Sequence, residues 1–146
     1  MISIDANVLI YAVDIDAGER HVRAKEIMDT ANHKNAVLTE QAIFEFFHAS
    51  TRKGKTSIGE ATGIAYDLAA NFRVLPPQPT IIEDALALQA RYRLSIWDAR
   101  LLAVCNAHGC THLLSEDLQD GARYSGVSIV NPFNPDNDAA IESLLS

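Results

Sequence analysis

The sequence predicts an α/β fold, a three-layer sandwich with a central, mostly parallel sheet of four to five strands flanked by helices. Three observations lead there. Short β-prone runs alternate with helical stretches along the chain, helix start and stop residues fall between them, and 146 residues at 48% hydrophobic content suffice for one core without disulfides.

"ISI" at the start reads as a strand, and "NVLIYAV" as a short helix capped by Asp5 or Asn7. "ERHVRAKEIMDTANH" is helical with Val22, Ile27 and Met28 as its apolar residues. "AVLTE" at 36–40 is the second β-prone run. The helix "QAIFEFFHASTRKGK" follows it directly and stops at Gly54. "SIGEATGIAYDLAANF" begins at Ser57 and is weakened by Gly59 and Gly63, after which "RVLPP" is a strand closed by Pro76 and Pro77. "TIIEDALALQARYRL" repeats Ile82, Ala85, Leu86 and Gln89 at helical spacing. "SIWDARLLAVCNAHG" runs from a Ser95 cap to Gly109. "THLLS" and "VSIV" are the last two strands, separated by the turn signal "QDGARYSG". Residues 1–146 form a single domain with its core at about 2–133. The C-terminal tail is 134–146, and the closing stretch "NPFNPDNDAAIESLLS" carries two prolines, Pro132 and Pro135, before a short helix.

Composition excludes several classes. Apolar runs fall far short of the roughly 18 residues that span a bilayer, and the N-terminus lacks a basic leader, so a cytoplasmic protein with no membrane role is expected. Cys105 and Cys110 are too few for a disulfide framework. A net charge of −7 argues against holding polyanions by bulk attraction, so any nucleic-acid role works through local patches or bound cations.

Open parallel sheets bind ligands beyond the carboxyl ends of their strands, and acids fall at those ends. Asp5 follows "ISI", Glu40 ends "VLTE", and Glu116 with Asp117 follow "THLLS". Asp98 lies in the first turn of the helix leading into "THLLS", and Glu45 one turn beyond Glu40. If "ISI" and "THLLS" are neighbours, these carboxylates converge. Each also has a structural duty open to it. Asp5 suits a helix N-cap, Asp98 a capping box with Ser95, and Asp117 a turn for which Asp120 is better placed. Gln41, Glu45, His48 and Arg52 form one polar stripe, while Ile43, Phe44, Phe46 and Phe47 occupy the other faces, which predicts a widely buried helix whose stripe faces a cleft. Clustered carboxylates repel one another unless divalent cations sit between them, and all-oxygen ligands favour Mg²⁺ or Mn²⁺.

"SIDANVLIYA", "FEFFHASTRKGK", "WDARLLAVCNAHGCTHLLSEDLQDG" and "VSIVNPF" resemble, in order, the motifs of PIN-domain ribonucleases, in particular VapC-type toxins of bacterial toxin–antitoxin pairs. The resemblance spans residues 2 to about 133. It implies four catalytic and metal-holding acids at Asp5, Glu45, Asp98 and Asp117, with Asn7 and Ser115 as supporting residues. Glu40 competes with Glu45 on strand-end position, and Glu116 with Asp117.

What the resemblance implies is Mg²⁺- or Mn²⁺-dependent hydrolysis of an RNA phosphodiester, with structured transfer or ribosomal RNA as substrate. It also implies a homodimer and a cognate antitoxin that enters the acidic site with a basic residue. Arg52, Lys53, Lys55 and His48 are candidate RNA contacts. Rival readings are a non-catalytic PIN-like interaction domain and a metal-dependent phosphatase or phosphoacceptor domain, for which "DAN" lacks a second acid and "VSIVNPF" a lysine. A metal-free His-based ribonuclease finds no paired spacing among His21, His33, His48, His108 and His112. A zinc site at "CNAHGCTH" would draw ligands from one short segment rather than two.

Overall fold

The computed structural model describes residues 1–31, 36–52 and 54–146. Strands β1 (Ile2–Ile4), β2 (Ala36–Thr39), β3 (Arg73–Leu75), β4 (His112–Leu114), β5 (Arg123–Tyr124) and β6 (Val127–Val130) form one sheet in the order β3-β2-β1-β4-β6-β5. All neighbouring pairs are parallel except β5 with β6. The sheet thus has six strands rather than four to five, because the turn "QDGARYSG" itself supplies the two-residue antiparallel β5. Pairing of β1 with β4 in the register Ile2↔His112 and Ile4↔Leu114 makes "ISI" and "THLLS" neighbours.

Side chains alternate across the strands, so the two faces of the sheet carry separate cores. Ile2, Ile4, Leu38 and Leu114 pack against α1 (Ala6–Val13), α2 (Glu19–Ala31), α3 (Glu40–Thr51), α4 (Ile58–Asn71) and α7 (Asp138–Leu145). Val37, Leu75, Leu113 and Ile129 pack against α5 (Ile81–Tyr92) and α6 (Ile96–Ala107). These are the three expected layers. Among the described residues, no helix is long and apolar enough to cross a membrane.

Caps fall where the sequence puts them: Asp5 on α1, Ser57 on α4 and Ser95 on α6. Beyond α6, Gly109 adopts φ +78° and Cys110 N–H returns to the Cys105 carbonyl at 2.9 Å, so both thiols are buried at the helix end.

Three apolar faces differ from expectation. Phe44 is 68% exposed, so α3 is buried through Ala42, Ile43 and Phe46 but not all round. Ile82 and Leu86 point outward from α5, which packs through Ala85 and Leu88, and Val22 is exposed on α2. Periodicity identifies an apolar stripe without saying whether the sheet lies beneath it.

Candidate active site

At the end of β1 the chain turns directly into α1, and Asp5 is the hinge. Its N–H continues the ladder to the Leu114 carbonyl at 3.0 Å, while its Oδ1 accepts the Ala6 N–H at 2.7 Å as the helix cap. The other oxygen, Oδ2, receives the Ser115 hydroxyl at 2.7 Å and the Asn7 Nδ2 at 3.3 Å. Ser115 occupies the matching position one strand over, at the end of β4. Asn7 Nδ2 also lies 3.1 Å from Asp117 Oδ2 and 3.3 Å from Ser115 Oγ. Two parallel strands ending side by side thus bring Asp5 and Asp117 to one amide.

The walls above this edge come from α3 and α6. An open cleft of about 770 Å³ is lined by Asp5, Asn7, Gln41, Glu45, His48, Trp97, Arg100 and Asp117, among others. Glu45 Oε1 accepts from Gln41 Nε2 at 2.7 Å. Asp98, in the first turn of α6, does not line the cleft. Its N–H is taken by the Ser95 cap at 3.1 Å, and the side chain is half-buried within electrostatic reach of Asp117.

Charge is crowded here. Burial pushes the Asp5 carboxyl up to about 6, against the hydrogen bonds from Ser115 and Ala6, and the charges of Glu45 and Asp117 add to the rise. Burial also raises Asp98, opposed by Ser95, with Asp117 adding to it. A divalent cation would relieve this repulsion. Among the described residues no three or more His, Cys, Asp or Glu side chains are already drawn together as a ready-made ligand set. The donors fit Mg²⁺ or Mn²⁺ all the same. They are all oxygen, and Mg²⁺ is typically held by one or two carboxylates, completed by water and substrate phosphate.

A family model for the PIN domain matches residues 2–123. The chain belongs to the PIN domain family. Comparison with curated proteins returns no match. Among solved structures, this PIN domain is similar to a toxin–antitoxin complex from Klebsiella pneumoniae (TM-score 0.66, 22% identity, 91% of this chain and 98% of that one). It is also similar to the sarcin-ricin loop cleaving toxin VapC20 of Mycobacterium tuberculosis (0.64, 18%, 77% and 87%) and to FitAcB of Neisseria gonorrhoeae (0.66, 14%, 92% and 99%).

The two rival acids are each paired to an arginine, Glu40 within the same cleft and Glu116 beside it. Glu40 is the first residue of α3 and pairs with Arg100 Nη2 at 2.6 Å. Glu116 receives Arg20 Nε at 3.1 Å on both oxygens, with the guanidinium set against the rings of Tyr11 and Phe133. Of the candidate RNA contacts, His48 lines the cleft, Arg52 is exposed, and Lys55 is paired to Asp14 at 3.3 Å. Lys53 and His33 lie outside the described residues. His108 bonds the Pro76 carbonyl and His112 the Thr111 hydroxyl, so neither turns to the cysteines for a zinc site.

Gln41 lines the cleft with Glu45 and His48, as the polar stripe predicts, whereas Arg100 is a cleft residue that the sequence left without a role. The signal for Arg100 was its isolation in the buried run "ARLLAVC", since a charge on such a helix needs a partner.

Proposed function

We propose that this PIN domain is a Mg²⁺- or Mn²⁺-dependent endoribonuclease and the toxin of a toxin–antitoxin pair, with Asp5, Glu45, Asp98 and Asp117 as its catalytic and metal-holding acids. The observation that carries this reading is the meeting of Asp5 and Asp117 at the Asn7 amide, in one cleft with Glu45. The chemistry supplied by a bound divalent cation is charge, which acidifies water and offsets the negative charge building on phosphate.

The chain's own groups do the rest. Asn7 and Ser115 donate to Asp5 Oδ2 and so fix the direction of its lone pairs, while Oδ1 is committed to the helix cap. Asn7 holds Asp117 Oδ2 in the same way. His48 in the cleft and Arg52 just past the C-terminal end of α3 offer donors to the RNA backbone, with Lys55 available if its pairing to Asp14 opens. The substrate class is a structured RNA such as transfer or ribosomal RNA. A phosphoacceptor role has less support, because β6 carries no lysine.

The likeness to toxin–antitoxin complexes supports an antitoxin partner, as does an acidic cleft open to a basic side chain. A homodimer is part of the same reading, supported by the exposed apolar residues Ile82, Leu86, Ile96 and Trp97 on α5 and the start of α6.

The test is incubation of wild type and Asp5→Asn with total RNA, with and without Mn²⁺, and mapping of the product ends. Metal-dependent cuts leaving 5′-phosphates, lost in Asp5→Asn, are expected. Equal cleavage by both proteins, or 2′,3′-cyclic ends with full activity in EDTA, would defeat the reading. Co-expression with the neighbouring reading frame tests the pair, and failure to co-purify a small basic protein counts against it.

A further inference from the structure

Gln41 is only 7% exposed, yet every hydrogen-bonding group of its side-chain amide has a partner. Its Nε2 donates to Glu45 Oε1 at 2.7 Å and to the Trp97 carbonyl at 3.0 Å, and its Oε1 accepts from Arg100 Nη1 at 2.7 Å. Partner chemistry fixes the amide orientation. A guanidinium only donates, and a carboxylate and a carbonyl only accept, so a flipped amide would oppose like groups at all three contacts. Arg100 is itself held by Glu40 at 2.6 Å, completing a chain Glu40–Arg100–Gln41–Glu45 between α3 and α6.

That chain has a consequence for Glu45. A glutamate one turn into an open cleft would ordinarily sample several rotamers, and ordering it on demand costs binding free energy. Here one oxygen is fastened by an amide that is locked from behind, which leaves Oε2 for a ligand. The Trp97 carbonyl ties the same amide to the helix turn that carries Asp98.

We propose that Gln41 is a positioning residue for Glu45, and that Arg100 acts through Gln41, so that the pair sets the affinity of the acidic cleft for a divalent cation. The inference rests on the reading of Glu45 as a metal-holding acid. Hydrogen-bond partners behind metal-binding groups typically contribute about 10- to 100-fold in metal affinity.

Mn²⁺ titration of the full chain, followed by loss of the free-ion EPR signal, tests this without reference to cleavage. Gln41→Met keeps the volume and the helix and removes the donor. About 10- to 100-fold weaker Mn²⁺ binding is expected, with the unfolding midpoint in EDTA close to wild type. Glu45→Gln and Asp5→Asn serve as reference. If both bind Mn²⁺ like wild type, the metal reading itself fails and takes this inference with it. If they lose Mn²⁺ while Gln41→Met binds like wild type, the positioning role alone is overturned. Should Gln41→Met not fold, Arg100→Lys decides. It keeps a cation facing Glu40 and withdraws the donor that locks Gln41, so Mn²⁺ binding about threefold weaker or more is expected. Wild-type affinity in that variant overturns the proposal.

Discussion

Asn7 reaches two carboxylates with a single nitrogen: its Nδ2 lies 3.3 Å from Asp5 Oδ2 and 3.1 Å from Asp117 Oδ2. An amide that bridges two acids orients both and offsets part of their repulsion. Under the proposed function, Asn7→Ala is therefore expected to weaken metal-dependent RNA cleavage by about 10- to 100-fold. The loss of these partly exposed bonds costs the fold only about 1 kcal/mol. Cleavage rates set beside thermal unfolding check this, and an equal loss of both would reassign Asn7 to stability alone.

Asp5 makes the metal-free fold weaker at neutral pH. Its carboxyl titrates at about 6 in the folded chain against an ordinary 3.8, mainly through burial, so the folded state binds the proton more tightly than the unfolded one. Stability is then greatest below the unfolded value and falls as pH rises from about 4 to about 6. The difference corresponds to about 3 kcal/mol at pH 7 as an upper figure. Asp5→Asn in EDTA is expected to unfold at higher urea than wild type at pH 7 and to lose most of that advantage at pH 4. A variant weaker than wild type at pH 7 would show that the charged form of Asp5 is favoured by its surroundings.

Asp120 behaves in the opposite sense. Burial alone would raise its carboxyl, but bonds from the Asn131 N–H at 2.9 Å and from the Asn134 and Asn137 side chains prevail and hold it below the ordinary carboxylate value. Its contribution is present above the unfolded value and lost as pH falls through the lower folded one. Asp120→Ala is expected to destabilise by about 1–2 kcal/mol, because three donors are released together at a site open to water. It should also speed proteolysis after residue 131, whereas RNA cleavage at low temperature should hold. Unchanged proteolysis would remove Asp120 as the clamp of the C-terminal segment.

How much of this was legible depends on whether the cause is local. Alternating β-prone and helical stretches, the Asp5 and Ser95 caps and the acids at strand ends are written in adjacent residues, so the layers and the cleft edge could be read directly. The outward Phe44, Ile82 and Leu86 could not, because an apolar stripe looks the same whether it meets the sheet or solvent. Nor could the β5 strand, two residues long inside a turn signal. Gln41 was visible as a neighbour of Glu45 on one helix face, but its lock by Arg100 joins residues 59 apart and exists only once α3 and α6 meet.

The pair Glu116 and Asp117 was ambiguous by one residue, and their partners separate them. Glu116 is bound by Arg20 through three contacts between 3.0 and 3.1 Å, whereas Asp117 turns to Asn7 in the cleft. An acid whose charge is already met by a guanidinium has little to offer a cation, and an exposed pair of this kind contributes only about 0–1 kcal/mol to the fold. Glu116→Gln is expected to cleave RNA within about threefold of wild type, while Asp117→Asn loses about 100-fold or more with its secondary structure intact. Parallel cleavage assays on the two variants at saturating Mn²⁺ check this. The reverse ranking would move the fourth acid to Glu116 and require Arg20 to release it when metal binds.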